Sequence, residues 1–259
     1  MGVERFSLDG KVALVTGSSK NIGKALALGL AECGADIISV ARTVPEIEQT
    51  AADVRAMGRK AIAIPANVRE FEPVQTMVEK AIQEFGRIDV LVNNVGTTFP
   101  HRLLDVSERG WDALISINLR ATFLVTQAVA KAMVDKGTKG CIINIASTAG
   151  YGASPGSPAY GASKAGIMNF TLSCAADLGK HGIRVNCLMP GHIEHEGNIE
   201  MFHTDDPEVR KRFEERVPLG RVGELDDLIG PAVFLASDAA SFVSGTILIA
   251  SGGSHERGS

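Results

Sequence analysis

Short, continuous apolar runs rich in Val, Ile and Ala recur along the chain at residues 12–15, 37–40, 61–64, 90–92, 141–145, 185–188 and 246–249. Their hydrophobicity does not alternate, and that is the pattern of strands buried on both faces, as in a parallel sheet covered by helices. Between most of them lie segments with apolar residues at helical spacing: 22–33, 45–57, 74–85, 108–134 and 159–178. Strands alternating with amphipathic helices predict an α/β architecture, a doubly wound, seven-stranded parallel sheet with helices on both faces. No Gly/Ser/Pro-rich linker divides the chain, so residues 1–259 are read as a single domain. One stretch breaks the rhythm. Residues 190–217 are polar and irregular, with GHIEHEGN followed by a charged helix over 207–216. An excursion after a strand's carboxyl end overhangs the crevice where open α/β sheets bind ligands, and it is assigned here as a substrate lid.

Composition narrows the classes. With 45% hydrophobic residues in 259, the chain can bury a large core, and a net charge of −4 with no run of Lys or Arg gives no electrostatic footprint for nucleic acid. No apolar stretch is read as approaching the roughly 20 residues a bilayer demands. The opening MGVERFSLDGK lacks the apolar core of a secretory signal. Neither a nucleic-acid nor a membrane partner is expected, and the location is expected to be cytoplasmic. Cys33, Cys141, Cys174 and Cys187 are scattered without a CxxC pair, which fits reduced, buried thiols.

The candidate chemistry has two ends. At the first, a strand over 11–16 runs into Gly17-Ser-Ser19-Lys20-Asn21-Ile22-Gly23 and then a helix. Such a turn lets a phosphate approach the backbone at a helix N-terminus, where negative charge is favoured. At the end of the second strand Ala41 stands where an acid would hold ribose hydroxyls, and Arg42 follows. Arg42 and Lys20 suit a 2′-phosphate, which favours NADP(H), with NAD(H) as the alternative. At the other end, Tyr160 and Lys164 stand four apart on a helix and therefore share a face, thirteen residues after Ser147. An ammonium beside a phenol favours the phenolate and would bring a pKa of ~10 toward neutrality for acid–base work.

These residues resemble the short-chain dehydrogenase/reductase family, in its 3-oxoacyl-reductase-like or gluconate-5-dehydrogenase-like branch, over nearly the whole chain. TGSSKNIG resembles the family's TGxxxGxG turn, and Asn93-Asn94-Val95-Gly96 its NNAG motif. Asn118 in SINL, Ser147 in IAS, and Tyr160 with Lys164 fall where the family carries its catalytic tetrad. Arg184-Val-Asn186 with Pro190-Gly191 resembles RxNxxxPG, and PLGRVGELDDL and FLASDAASFVSG the C-terminal signature. The resemblance implies a Rossmann-type fold and ketone–alcohol interconversion by hydride transfer. It implies Tyr160 as general acid/base, Lys164 lowering the tyrosine's pKa and binding ribose hydroxyls, Ser147 polarising the carbonyl, and Asn118 holding a water that links Lys164 to solvent. It adds Asn67, Val68, Asn94, Gly96, Pro190, Gly191 and Ile193 to the cofactor contacts. It also implies a homotetramer built on the two long helices, with a dimer as the alternative.

Several positions depart from the family pattern. The middle glycine of the turn is Asn21, the aspartate after the third strand is Asn67, the NNAG alanine is Val95, and Ser251 replaces an aspartate. The threonine of PGxxxT is His195, which cannot reproduce the hydroxyl geometry. Thr98, Tyr151, His192 and His195 are the candidate contacts to a small carbonyl or alcohol substrate, a hydroxylated or cyclic ketone. His192, His195 and His203 with Glu194, Glu196 and Glu200 do not make a firmly held set of three ligands, so no metal is assigned. Trp111 is read as a packing residue. The competing readings are an NAD(H)-linked sugar or polyol dehydrogenase, an enoyl reductase, and a catalytically silent dinucleotide sensor or scaffold. The family's enoyl-reducing branch spaces its tyrosine and lysine farther apart than the four residues seen here.

Overall fold

Each of the seven apolar runs forms a strand in the computed structural model, which describes residues 2–254. Met1 and residues 255–259, the ends of the expected span 1–259, lie outside the described residues. The strands β1 (Val12–Thr16), β2 (Asp36–Ala41), β3 (Ala61–Pro65), β4 (Val90–Asn93), β5 (Cys141–Ile145), β6 (Arg184–Pro190) and β7 (Ile247–Ala250) form one sheet in the order β3-β2-β1-β4-β5-β6-β7. All pairings are parallel, β1 meeting β2 from Val12↔Asp36 to Thr16↔Val40 and β4 from Ala13↔Val90 to Val15↔Val92. The chain reverses its direction of winding between β1 and β4, and this leaves a crevice beyond their carboxyl ends.

Successive side chains of a strand face opposite sides, so one sheet supplies two cores. Ala13, Val15, Ile37, Val90, Val92 and Ile143 pack with α1 (Asn21–Glu32), α2 (Val44–Ala56) and the later α9. Leu14, Ile38, Leu91 and Ile142 pack with α3 (Phe71–Phe85) and the later α5.

The predicted helix over 108–134 is three pieces: α4 (Glu108–Ile115), a π turn at Ser116–Arg120, and α5 (Ala121–Asp135). Contrary to the sequence reading, the combined run is long and apolar enough, by length and composition, to cross a membrane. More than half of its apolar window is buried in this fold, where Leu124, Val125, Val129 and Met133 join the core. The helix α6 (Pro158–Leu178) follows β5.

After β6 the excursion holds two helices where one was expected, α7 (Glu196–Phe202) and α8 (Pro207–Glu215). Asp206 caps α8 by accepting the Glu208 amide at 2.8 Å, and Pro207 takes the first turn, where no N–H is missed. Arg210 ties α8 back to Glu194 in the loop between β6 and α7 and bonds Glu214 at 3.0 Å. A further helix, α9 (Ile229–Ala236), was not anticipated and covers the first core.

Candidate active site

The turn after β1 is pinned from three sides. The buried Ser18 hydroxyl accepts the Val40 amide at 2.9 Å and meets the Ser39 hydroxyl at 2.8 Å, and Thr50 donates to the Ser18 carbonyl at 2.9 Å. From β4, the Asn94 amide group donates to the Thr16 and Gly17 carbonyls at 3.1 and 3.2 Å. This packing leaves no room at Gly23, where a Cβ would stand 2.1 Å from the Gly17 carbonyl oxygen. Asn21, which stands where the family pattern has a glycine, takes the left-handed conformation, with φ of 50°, a region that asparagine tolerates better than most residues.

A cavity of about 660 Å³ opens above the carboxyl ends of the strands, and its wall joins both candidate ends. The glycine turn from Gly17 to Gly23 forms one side, apart from the buried Ser18. Arg42, Asn67 and Val68 stand toward β2 and β3, Asn94 and Gly96 follow β4, and Pro190, Gly191 and Ile193 follow β6. Ser147, Tyr160 and Lys164 form the other end. Sequence reasoning missed two charged members of this wall. Arg69, two residues past Asn67, donates toward the Ser116 hydroxyl at 3.5 Å, and Glu46 comes from the first turn of α2. The expectation of cations without a carboxylate beside Arg42 is thereby corrected. The acid sits outside the strand-end position and reaches the cavity only because α2 folds over it. Asn67 donates to Glu70 and accepts the Arg69 amide at 3.3 Å.

At the reacting end, Lys164 is buried, and its ammonium donates to the Ile145 carbonyl at 2.9 Å and lies 5.7 Å from the centre of the Tyr160 ring. Burial pulls its pKa down to about 8, against a smaller opposing pull from the Cys187 thiol. Cys187, in the same interior, is pushed up to about 12 by burial. Burial also raises the Tyr160 phenol, partly offset by its hydrogen bond with Ser147. Desolvation thus sets the direction of the phenol's shift, opposite to the lowering expected from Lys164. Gly96 keeps the approach to these groups open: a Cβ there would stand 3.2 Å from Lys164 Nζ and 3.3 Å from Asn118 Oδ1.

Asn118 lies wholly buried behind the cavity wall, in the π turn between α4 and α5. Its Oδ1 accepts the Thr97 amide at 2.8 Å, while Nδ2 donates to the Thr97 carbonyl at 3.0 Å and to Ser163 Oγ at 2.9 Å. The side chain therefore ties the segment after β4 to α6. Thr122 Oγ1 donates to the Asn118 carbonyl at 2.7 Å. Single π turns inside α-helices concentrate at functional sites.

The four candidate substrate residues separate. Thr98 and His195 line the cavity. Tyr151 does not: it stands 58% exposed outside this wall. His192 also turns away, its ring stacked on Phe213 at 4.4 Å and edge-on to Phe202 at 5.4 Å. Its Nε2 is buried with no hydrogen-bond partner among the described residues, and burial holds its pKa down. The two histidines stand three positions apart, and the fold of this segment sends one inward and the other to the cleft. Ile117, Gly197, Asn198 and Met201 enter the wall unforeseen, three of them on α7. Among the described residues no group of three His, Cys, Asp or Glu comes together as a metal-ligand set. All four cysteines are free, and Cys33 and Cys174 are only partly buried. Trp111 is 40% exposed, against the packing role expected for it.

A strand, a glycine-rich turn and a helix that present a cavity to a Ser, Tyr and Lys define a dinucleotide-dependent oxidoreductase of the doubly wound class. The chain belongs to the short-chain dehydrogenase/reductase family: the family model described as enoyl-(acyl carrier protein) reductase matches residues 17–255. It is similar to 2-dehydro-3-deoxy-D-gluconate 5-dehydrogenase of Escherichia coli K12, at 38% identity over 253 residues, 98% of each chain. It is also similar to a 3-oxoacyl-[acyl-carrier-protein] reductase of Thermotoga maritima, at 37% identity over 246 residues, 95% of this chain and 98% of the other. Among solved structures it matches a gluconate 5-dehydrogenase from Burkholderia cenocepacia in complex with NADP and tartrate, with a TM-score of 0.93, 38% identity and 99% of both chains covered.

Proposed function

We propose that this protein interconverts a ketone and a secondary alcohol with NADP(H), Tyr160 acting as the general acid and base. The observation that carries the reading is the shared wall: the glycine turn and the Ser147, Tyr160 and Lys164 side chains face one cavity. A nicotinamide dinucleotide would supply the hydride chemistry. The crowded turn at Gly23 fits its diphosphate at the N-terminus of α1, and Arg42 and Lys20 fit a 2′-phosphate. In the reducing direction Tyr160 Oη gives its proton to the carbonyl oxygen, and Ser147 donates a hydrogen bond to that same oxygen as charge develops. Lys164 spends one N–H on Ile145, so two remain for ribose hydroxyls and for the phenolate left behind. A water held at Asn118 would return the proton through Lys164.

The cavity wall also carries Thr97, Thr98, Ile117, Asn198 and Met201. That lining suits a hydroxylated or cyclic ketone. The sugar-acid dehydrogenases among the relatives keep an NAD(H)- or NADP(H)-linked sugar or polyol dehydrogenase as the second reading. Enoyl reduction, the description borne by the family model, ranks below both because Tyr160 and Lys164 stand only four residues apart. A silent sensor would need no such buried ammonium beside a tyrosine. The same reading takes the protein to be a cytoplasmic homotetramer. Phe123 and Leu172, exposed on α5 and α6, support association through those helices, and light scattering on the eluted protein measures it.

The test is Tyr160→Phe. Turnover of a good ketone substrate should fall by about 10²-fold or more, the usual scale of acid–base catalysis. Dinucleotide affinity should stay within about threefold, a change under 1 kcal/mol. Unchanged turnover would sink the assignment.

A further inference from the structure

His195 stands where the lid meets the glycine turn, and none of the chemistry above uses its imidazole. The point at which a Gly197 Cβ would sit lies 3.5 Å from both His195 Cε1 and Nδ1 and 3.8 Å from Asn21 Nδ2, so ring, lid and turn converge there. His195 also lines the cavity together with Lys20 and Asn21. An anion seated on the turn at the start of α1 would therefore lie between a lysine and an imidazole.

We propose that His195 is a cofactor-positioning residue that takes up a proton when the dinucleotide's diphosphate binds, so that this protein grips its cofactor more tightly as pH falls. The inference rests on the dinucleotide-binding reading above and deepens it.

The hydrogen bonding permits the change. Nδ1 accepts the Asn198 amide at 3.3 Å, but the same amide donates to the His195 carbonyl at 2.9 Å. The ring is thus the weaker of two acceptors, and the start of α7 remains held by Asn198 Nδ2 on the Ile193 carbonyl at 2.7 Å. Protonating Nδ1 gives up little. Burial first and the Lys20 charge second keep the imidazole's pKa below its usual value, while the Glu196 carboxylate opposes them. His192, turned away onto Phe202 and Phe213, has its own pKa lowered by burial first and by His195 second, with the Glu194 carboxylate opposing them. A diphosphate placed against Lys20 reverses the sign of the local field, and the imidazole is the group in this corner able to answer near neutral pH.

The experiment is calorimetric titration with NADP⁺ and with NAD⁺ at pH 6.5 in buffers of different ionisation enthalpy, which counts the protons taken up per site. Wild type is compared with His195→Thr and His195→Asn. NAD⁺ is included because it lacks the 2′-phosphate, whose own titration would add protons. Wild type should take up a substantial fraction of one proton more than either variant with both cofactors. Its affinity advantage over the variants should grow about threefold to tenfold between pH 8 and pH 6. Imidazole resonances of the folded wild type should show the His195 titration moving to higher pH when NAD⁺ is added. Equal proton uptake in wild type and variants, or an unmoved His195 titration, overturns the inference and leaves the dinucleotide reading standing. Failure of wild type to bind either dinucleotide overturns both.

Discussion

Replacing Lys164 by methionine keeps most of the side chain's length and removes its charge, and the structure sets the sign of the result. Lys164 is 4% exposed, and its pKa lies at about 8 where an ordinary lysine titrates at 10.5. A folded value below the unfolded one means that the native state holds this proton less well than the unfolded chain. Burial of the charge therefore costs stability at every pH below about 8, and the cost fades as pH rises from about 8 toward 10.5. That difference corresponds to about 3 kcal/mol. Against it, methionine leaves the Ile145 carbonyl without its donor, a loss of about 1–2 kcal/mol. Lys164→Met should therefore be more stable than wild type by about 1–2 kcal/mol at pH 7, while its turnover is lost. At pH 9.5 the wild-type cost has dropped by about 2 kcal/mol, so the two proteins should be nearly equal or reversed in order. Urea denaturation at both pH values, with equal slopes for the two proteins, measures the difference directly. A variant less stable than wild type at pH 7, or one whose difference from wild type does not change with pH, would refute the desolvation argument.

Arg42→Ala should weaken NADPH by about 1.5–3 kcal/mol, the value of a charge-assisted hydrogen bond, and leave NADH nearly unchanged. Equal losses for both cofactors, measured by nicotinamide fluorescence, would remove Arg42 from the 2′-phosphate site. Glu46→Gln should do the reverse, tightening NADPH by about 1 kcal/mol by removing a carboxylate from the same wall. An unchanged ratio of the two affinities would show that Glu46 stands too far from the phosphate to matter. Gly23→Ala should abolish dinucleotide binding, because its Cβ would fall 2.1 Å from the Gly17 carbonyl oxygen. Circular dichroism distinguishes that loss from unfolding, and a folded variant that still binds within threefold of wild type contradicts the crowding argument.

The order of strands and helices, the glycine turn and the Tyr160–Lys164 pair are local features, and for that reason they are legible in one dimension. A continuous apolar run of four or five residues can only be satisfied by burial on both faces, and residues four apart on a helix meet whatever surrounds them. The charge beside Arg42 was less legible: Glu46 reaches the cleft through the packing of α2, which no strand-end rule describes. Nor does sequence spacing distinguish His192 from His195. One fills an aromatic nest with Phe202 and Phe213, which lie on α7 and α8, and the other faces the glycine turn.

The interior polar groups belong to the same class. Asn93 donates to Thr126 at 2.8 Å and to Asn144 at 2.9 Å, and Asn144 donates to Thr171 at 2.9 Å, a buried chain linking β4, β5, α5 and α6. Its members are drawn from four elements, and each is an unremarkable Asn or Thr until packing joins them. The sequence by itself determined the sheet, its winding and the chemical types brought to the site, because these follow from periodicity and short spacing. Tertiary structure alone decided the direction of the pKa shifts at Tyr160 and Lys164, the π turn that buries Asn118, and which of His192 and His195 meets the cleft. Those depend on desolvation and on contacts between residues distant in the chain, which exist only after the elements have packed.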